Sequence, residues 1–422
     1  MEVWREPARE LPVIGRPDIL VVGAGSAGIA AALAAARRGG EVWLVERLSY
    51  VGGLATGGLI NLLLTLDDGE GNQVVAGLCQ EIVEALDRQG EAVHPPAEEW
   101  GSVDTTAVDA WRRWGLIWGP PPEAVRYSVA FDPEAFIDIS YRLLDEAGVK
   151  LRLHSWCTAV HTRQGRIEAV VLESKAGREV VMPEVVVDTS GDGDLVAMAG
   201  VPHEQVPVLP YLWFRMGGVE VRDEGAGPHG LYFRTTGAGR VLVPWGGPGM
   251  AEAKIDPLDP DALSRAEVQL RSGARREADR LIAEVPGFEH AWLDDFTKQI
   301  GITESRRLVG DYRLEKDDHK RTFPDSVART GHWTVRGVTY DIPYRCLTTP
   351  LLSNLVVAGR CISASRYVHQ ATKEIPAAMA TGEAAGAAAV HALNSRGDVH
   401  AVDVAGLRSD LAAAGADVGG SG

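Results

Sequence analysis

The stretch that most constrains the fold is residues 18–47, DILVVGAGSAGIAAALAAARRGGEVWLVER. Residues 18–22 form a short apolar run rich in β-branched side chains, which is typical of a parallel strand covered on both faces. A glycine turn follows, and the alanine-rich run 30–36 predicts a helix that lies close to the sheet. Residues 41–45 predict a second strand, and Glu46 comes directly after it. The order strand, turn, helix, strand and acid indicates a nucleotide-binding βαβ unit.

Each glycine of the turn has a separate physical role. Gly23 permits the tight turn, Gly25 lets the backbone approach a pyrophosphate, and Gly28 lets the helix pack closely on the strand. The free N–H groups of the helix N-terminus favour negative charge there by an amount on the order of 1 kcal/mol. Glu46 lies about 20 residues after the turn, where an acid binds a ribose hydroxyl and disfavours a 2′-phosphate. The chain has 48 glycines, so the prediction depends on the ordered elements and not on the spacing alone.

The residues after Glu46, RLSYVGGLATGGLINLLL, resemble the FAD-dependent oxidoreductases of the glutathione-reductase-like superfamily. The resemblance implies that Glu46 holds the adenosine ribose and that Gly52 and Gly53 run beside the pyrophosphate. It also implies that the small residues from Ala55 to Gly58 pass near the isoalloxazine ring. FAD is therefore the expected cofactor.

Three later stretches extend the resemblance in the same order. VVDTSGDGDLVAM (186–198) is similar to the second flavin-contact segment, and GITESRRLVGDYRL (301–314) to a signature of a branch named FAD-dependent oxidoreductase. IPYRCL and NLVVAGRCISAS (342–365), followed by PAAMATGEAAGAAA (376–389), are similar to the C-terminal flavin-contact segment. The resemblance implies these cofactor-binding residues: Gly23, Gly25, Ser26, Ala27, Gly28, Glu46, Arg47, Gly52, Gly53, Leu54, Ala55, Thr56, Ser190, Gly191, Asp192, Gly359, Arg360, Ala377 and Ala378.

Bulk properties exclude several classes of partner. The net charge of −16 disfavours nucleic acid and anionic membranes, and no apolar run is typical of a membrane span. Residues 1–17 lack the apolar core of a signal peptide. The four cysteines lie far apart without a CxxC pair, which argues against an iron–sulfur cluster, a zinc site or a redox-active disulfide. We therefore expect a cytoplasmic protein without a metal.

The fold class predicted is α/β, with a Rossmann-like FAD-binding domain and a smaller α+β substrate domain. The FAD domain is expected to be discontinuous, over 15–65, 125–205 and 338–395, and to contain a parallel sheet, helices and a β-meander formed by 150–155, 167–174 and 178–182. Residues 66–124 and 206–337 form the expected substrate or cap region. The Ala/Gly/Ser-rich residues 405–422 are expected to form a flexible tail.

Two groups of side chains leave alternatives open. Trp111, Trp114 and Trp118 recur at helix-like intervals and either pack their segment onto the body or form a lid or substrate wall. In the run from Glu304 to Arg307, adjacent arginines should point to different sides. One of them then reaches the cleft, or the pair forms a structural ion pair at a domain junction.

The stretch SRYVHQATKE (365–374) should lie near the reactive face of the flavin. Arg366, His369 and Lys373, together with Arg307, are the candidate catalytic residues, as a clamp for a substrate carboxylate or as proton donors. Many relatives in the family that this chain resembles have a histidine at the position of Arg366 and an arginine at that of Lys373. The positive charge is kept but its geometry differs, which puts inherited catalytic roles in doubt.

The expected function is hydride transfer between flavin N5 and a small polar substrate, with carboxylate-bearing compounds favoured because cations cluster near the predicted flavin face. An FAD-dependent monooxygenase or halogenase that uses O2 and NAD(P)H is the first alternative. Against it, AGRCISAS differs from the acid-containing GDAAH-type pattern of aromatic hydroxylases, and no second GxGxxG marks an NAD(P)H domain. A non-catalytic, flavin-bound partner subunit is the second alternative. The electron donor or acceptor and homo-oligomer formation stay open.

Overall fold

The computed structural model describes residues 2–227, 230–246 and 253–420. Its strands are β1 Val13–Gly15, β2 Ile19–Val22, β3 Val42–Val45, β4 Leu62–Leu63, β5 Ala92–Val93, β6 Val129–Phe131, β7 Lys150–Arg152, β8 Trp156–Arg163, β9 Arg166–Ser174, β10 Gly177–Val181, β11 Val185–Asp188, β12 His203–Gln205, β13 Phe214–Gly217, β14 Phe233–Arg234, β15 Val241–Val243, β16 Trp292–Phe296, β17 Arg306–Leu308, β18 Ser326–Gly331, β19 Thr339–Pro343 and β20 Leu355–Val357. Its α-helices are α1 Ser26–Ala36, α2 Gly77–Gln89, α3 Thr105–Arg112, α4 Pro133–Glu146, α5 Asp194–Met198, α6 Pro260–Glu284, α7 Arg366–Thr372, α8 Ile375–Leu393 and α9 Val404–Ala413.

A five-stranded parallel sheet in the order β20-β11-β2-β3-β7 forms the centre of the molecule. Successive residues of β2 alternate between two cores, because side chains of a strand point to opposite faces. Ile19 and Val21 pack with the helices on one face, whereas Leu20 and Val22 pack with the meander on the other. Both faces are therefore covered, and the predicted α/β class with a parallel sheet is confirmed.

Helices α1 and α8 pack so closely that the glycines of α8 contact the backbone of α1. A Cβ atom at Gly382 would lie 2.2 Å from the carbonyl oxygen of Ala27, and one at Gly386 would lie 2.1 Å from that of Ala31. The two contacts follow the same direction along both helices, so α1 and α8 run parallel. Their N-termini consequently lie at the same edge of the sheet, where the parallel strands end.

The meander differs from the prediction in one strand. Residues 150–152 form β7, which joins the parallel sheet beside β3 and not the meander. The reason is topological. Helix α4 immediately precedes β7, and a strand that follows a helical crossover pairs in parallel with its neighbour in the sheet, which here is β3. The meander consists of β8, β9 and β10, with β1 added in parallel to β10.

The cap contains an antiparallel sheet in the order β14-β15-β13-β16. One face packs on α6 through Phe214, Met216, Val241 and other apolar side chains. The opposite face carries Trp213, Phe233 and Leu242, which belong to a separate hydrophobic cluster with the residue 111–118 segment. The strands are shorter than the runs 207–215 and 230–243 that the sequence predicts.

The predicted flexible tail, residues 405–422, is helical over most of its first half. Helix α9 begins at Val404, and its Leu407 and Leu411 are fully buried against the helical core. The two leucines are four residues apart and so share one helix face, which outweighs the alanine- and glycine-rich composition. The prediction of a flexible tail is wrong for this helix, and residues 421–422 lie outside the described part of the chain.

The described residues contain neither a membrane-spanning helix nor a cluster of metal ligands. No helix within 2–227, 230–246 and 253–420 is long and apolar enough to cross a membrane. In the same ranges, no three side chains of His, Cys, Asp or Glu lie close enough to hold a metal ion together. The four cysteines are buried and free.

Candidate functional site

A cavity of about 480 Å³ opens at the edge where the parallel strands end. Segments that follow β2, β3, β11 and β20 meet there, as expected for a ligand crevice at the carboxyl ends of parallel strands. Of the residues predicted to bind the cofactor, these line it: Gly23, Gly25, Ser26, Ala27, Glu46, Arg47, Gly52, Gly53, Leu54, Ala55, Ser190, Gly191, Asp192, Gly359, Arg360 and Ala378. Gly28, Thr56 and Ala377 do not line it and pack behind the wall.

The three glycines of the turn differ in what surrounds them. Gly23 has φ +101°, and a Cβ there would lie 2.5 Å from the carbonyl oxygen of Thr189. A Cβ at Gly28 would lie 1.8 Å from the carbonyl oxygen of Gly23, whereas one at Gly25 would meet no atom of the described residues within 4 Å. The fold thus requires glycine at 23 and 28, and Gly25 borders open space in the cavity. Among the described residues no side chain caps the N-terminus of α1, so its N–H groups can bind a pyrophosphate.

Glu46 is held in place by two backbone N–H groups. The N–H of Ala24 donates to Oε2 at 2.8 Å, and the N–H of Leu48 donates to Oε1 at 2.9 Å. A carboxylate has about four lone-pair sites, so acceptor positions remain for the hydroxyls of a ribose. The geometry fits an adenosine ribose at this end of the cavity.

Trp156 is a lining residue that the sequence reasoning missed. The Arg47 guanidinium lies 5.6 Å from the centroid of the Trp156 ring, and both residues line the cavity near Glu46. The side chain of Trp156 is 54% exposed, which is unusual for so large an apolar group. In the sequence Trp156 comes directly after the predicted strand 150–155, and the structure places it at the start of β8. Its flat ring and the planar guanidinium suit an adenine base.

The loop from Val51 to Gly58 joins the glycine turn to the cap. The N–H of Gly52 donates to the carbonyl oxygen of Ala24 at 2.7 Å. Thr56 donates its hydroxyl to the carbonyl oxygen of Val51 and so shapes the loop without reaching the cavity. The carbonyl oxygen of Gly57 accepts hydrogen bonds from Thr297 Oγ1 at 2.6 Å and from the N–H of Lys298 at 2.7 Å.

A network of charges surrounds Asp192 on the cavity wall. Arg360 donates to its Oδ1 at 2.7 Å, and the hydroxyl of Ser305 donates to the same oxygen. Burial opposes ionisation of Asp192, but the charge of Arg360 and these hydrogen bonds outweigh it and hold its pKa below the usual range. Burial, Asp192 and Asp188 raise the pKa of Asp194 to about 6, although Arg306 lies 3.1 Å away. Ser305 and Arg306 bring the 301–314 segment to the site.

Three of the four catalytic candidates lie away from the cavity. Arg307 is 2% exposed and pairs with Glu204 at 2.9 Å and Glu304 at 3.3 Å, and the adjacent Arg306 pairs with Asp194 at 3.1 Å, so both arginines form ion pairs. Arg366 is 57% exposed, with its guanidinium 3.6 Å from Glu304.

His369 is buried beneath these ion pairs. Its Nδ1 lies 3.8 Å from Glu304 Oε2. Burial, followed by the charges of Arg307, Lys373 and Arg360, holds the pKa of His369 well below its usual value. The imidazole is therefore neutral and lies outside the lining of the cavity.

Lys373 is the catalytic candidate that lines the cavity, and Glu374 lines it beside Lys373. Lys373 Nζ lies 3.8 Å from Glu374 Oε1, and each side chain is 16% exposed. Burial raises the pKa of Glu374 to about 7, although the charge of Lys373 lowers it. Glu374, the N-cap residue of α8, is not among the candidates that the sequence predicts.

Aromatic side chains line the part of the cavity that faces the cap. They are Trp118, Tyr211, Trp213, Trp245 and Trp333. Trp111 and Trp114 pack on the same hydrophobic cluster without lining the cavity. Of the three tryptophans for which the sequence left two interpretations, one thus lines the cavity and two pack behind it. Trp213, Trp245 and Trp333 come from distant segments and gave no pattern in the sequence.

Two solved structures are similar in fold to this chain. A geranylgeranyl bacteriochlorophyll reductase-like protein from Thermoplasma acidophilum is 14% identical, with 96% of this chain and 85% of that chain covered and a TM-score of 0.50. The chondrochloren halogenase CndH of a myxobacterium is 14% identical, with 94% and 78% covered and a TM-score of 0.51. At this identity the likeness shows the fold alone. A search of curated protein sequences gave no match.

A family model matches nearly the whole chain. The model is that of the FAD dependent oxidoreductases, and it matches residues 18–230 and 231–411. The match includes the glycine turn, Glu46 and the N-terminus of α8, which together line one cavity and fit a dinucleotide. The chain therefore belongs to the FAD dependent oxidoreductase family, as an enzyme with FAD as its cofactor.

Proposed function

We propose that the protein oxidises a small-molecule substrate by hydride transfer to FAD, with the electrons entering from the substrate and not from NAD(P)H. The observation that carries the proposal is the Lys373–Glu374 pair at the N-terminus of α8, which lines the same cavity as the dinucleotide-binding turn. FAD, when bound, supplies the acceptor for the hydride.

The chain's own residues handle the proton and the charge. Glu374 accepts the proton that a substrate hydroxyl or amine loses, because burial raises its pKa to about 7, near the range in which a general base is most effective. Lys373 binds an anionic group of the substrate, in agreement with the expectation of a carboxylate-bearing compound. The N-terminus of α8 has no side-chain cap and adds a partial positive charge at the same place.

An anaerobic experiment tests the direction of electron entry. The purified, FAD-loaded protein is mixed with NADH, with NADPH, and with a panel of 2-hydroxy and 2-amino acids such as mandelate, phenyllactate and phenylalanine. We expect the visible absorbance of FAD to persist with both nicotinamides and to bleach with a member of the panel. Rapid bleaching by NADH or NADPH would overturn the proposal and favour the monooxygenase or halogenase alternative.

The Glu374→Gln variant tests the assignment of the base. We expect the rate of bleaching by the active panel member to rise with pH through about 7 in the wild type, because Glu374 ionises there. The variant should keep FAD, lose the pH dependence and react about 10²-fold more slowly. Glu284→Gln, at an exposed position of α6, serves as the control and should keep both the rate and the profile. An unchanged rate and pH profile in Glu374→Gln would contradict the assignment.

Several finer assignments stay predictions. The likeness to the glutathione-reductase-like superfamily is supported by the parallel sheet with an antiparallel meander on one face. The domain boundaries and the cytoplasmic location rest on the sequence alone, and homo-oligomer formation stays open.

A further inference from the structure

We propose that the cap side of the cavity is an aromatic chamber, formed by Trp118, Tyr211, Trp213, Trp245 and Trp333, that binds the planar aromatic ring of an anionic substrate. The inference rests on the proposed function only in that it takes the Lys373–Glu374 pair as the reacting end of the cavity. It narrows the expected small polar substrate to an aromatic carboxylate.

The rings of the chamber meet edge to face. The Trp118 ring lies 5.3 Å from that of Trp245 at 90° and 5.7 Å from that of Trp333 at 69°, while Trp213 lies 5.7 Å from Trp245 at 78°. Edge-to-face and offset contacts are the arrangements that aromatic rings prefer. A flat ring can therefore join the cluster through contacts of the kind its walls already make with each other.

The walls are anchored to the backbone. Trp118 donates its indole N–H to the carbonyl oxygen of Gly115, and Trp333 donates its own to that of Gln370 at 2.9 Å. Trp213 projects from the face of the cap sheet opposite to α6. A chamber with anchored walls binds a rigid ring with little loss of conformational freedom.

Two features of the chamber are hard to explain as core packing alone. Trp213 is 5% exposed, yet its indole N–H has no acceptor among the described residues. Buried donors are normally paired, so an unpaired N–H at this position is unusual for core packing. Trp245 has φ +57°, a left-handed conformation that is rare for a bulky residue and is found where surrounding structure or function holds a side chain in place.

The charged groups near the chamber select the substituent on the ring. Arg360 is engaged by Asp192 at 2.7 Å, and the carboxylate of Glu267 accepts from Arg271 at 3.1 Å and from the N–H of Ile300 at 3.0 Å. Lys373 pairs only loosely with Glu374, at 3.8 Å. Its ammonium group can therefore bind a carboxylate while the ring lies among the tryptophans.

Calorimetric titration of the FAD-loaded, oxidised protein at pH 6 tests the chamber. The probes are benzoate, cyclohexanecarboxylate and acetate, which share the carboxylate and differ in the group attached to it. We expect benzoate to bind at least tenfold more tightly than cyclohexanecarboxylate, and acetate to bind more weakly than both. Equal affinities for benzoate and cyclohexanecarboxylate would overturn the inference without any variant.

Two tryptophan variants locate the binding. Trp118→Leu should weaken benzoate binding about tenfold and leave acetate binding unchanged. Trp114→Leu is the matched control, because Trp114 belongs to the same segment and hydrophobic cluster but does not line the cavity, and it should bind benzoate as the wild type does. Full benzoate affinity in a folded, FAD-loaded Trp118→Leu protein would overturn the inference.

The test is independent of turnover. Binding is measured with no electron donor present, so a failure of the anaerobic reduction experiment leaves the titration interpretable. Conversely, substrate-driven bleaching together with equal affinities for the two ring acids would retain the proposed function and reject the aromatic chamber. The FAD content of each variant is measured by absorbance. It distinguishes a variant that binds benzoate weakly from one that has lost the cofactor.

Discussion

At the scale of single residues, the same amino acid serves different purposes within six positions of the chain. Gly23 and Gly28 are required because other backbone atoms occupy the space that a side chain would need. Gly25 has an ordinary φ of −68°, and no atom of the described part of the chain lies near the position of a Cβ, so we expect a ligand to require glycine there. The GxGxxG spacing alone could not separate these roles.

Alanine substitutions at Gly25 and Gly28 separate a glycine that the ligand requires from one that the fold requires. Gly25→Ala should change the free energy of unfolding of the apoprotein by no more than about 1 kcal/mol, and weaken FAD binding at least tenfold, which is about 1.4 kcal/mol. Gly28→Ala should destabilise the apoprotein itself by about 2 kcal/mol or more, because a Cβ would lie 1.8 Å from the carbonyl oxygen of Gly23. Denaturant unfolding of both apoproteins and FAD titration check this. Unimpaired FAD binding by Gly25→Ala would contradict the placement of the pyrophosphate.

At the scale of elements, α8 connects the cofactor site to the rest of the helical layer. Its first turn lines the cavity, its glycines allow contact with α1, and Glu383 accepts a hydrogen bond at 2.9 Å from the N–H of Leu78 in the first turn of α2. Glu383 is 2% exposed. Burial raises its pKa to about 7, although the Leu78 N–H favours the charged form.

This buried carboxyl makes stability depend on pH. Between about 4.5, the ordinary pKa, and about 7, the folded protein keeps a proton that the unfolded chain has lost. The contribution of Glu383 to stability is therefore complete below this window and falls as pH rises through it, by about 1–3 kcal/mol.

Substitution of Glu383 tests the direction of this effect. Glu383→Gln keeps an acceptor for Leu78 but cannot titrate, so its free energy of unfolding should fall less between pH 5 and pH 8 than that of the wild type (~1–3 kcal/mol less). Glu84→Gln, at an exposed position of α2, is the control and should follow the wild type. Denaturant unfolding at both pH values gives these free energies. An equal fall in the free energy of unfolding of wild type and Glu383→Gln would show that Glu383 is not the titrating group.

At the scale of the whole molecule, the sequence predicts the FAD-binding half better than the cap. The βαβ unit over residues 18–47 follows from a local pattern that the structure reproduces as β2, α1 and β3. The aromatic chamber does not follow from a local pattern. Tertiary packing alone brings together its tryptophans, Trp118, Trp213, Trp245 and Trp333. The surroundings of Arg307 and His369 also depend on tertiary packing. The sequence does not show that both side chains are buried, that Arg307 pairs with Glu204, or that His369 lies beside Glu304.

The central claim is that one cavity, from Glu46 past the glycine turn to the N-terminus of α8, holds FAD. Hydrogen–deuterium exchange of the apoprotein and the FAD-loaded protein tests it most directly. FAD should slow exchange of backbone N–H groups in three separate segments, 23–28, 46–55 and 374–378, and leave the exposed turn at 163–165 of the meander unchanged. Protection that omits 374–378, or that is confined to the cap, would contradict the account.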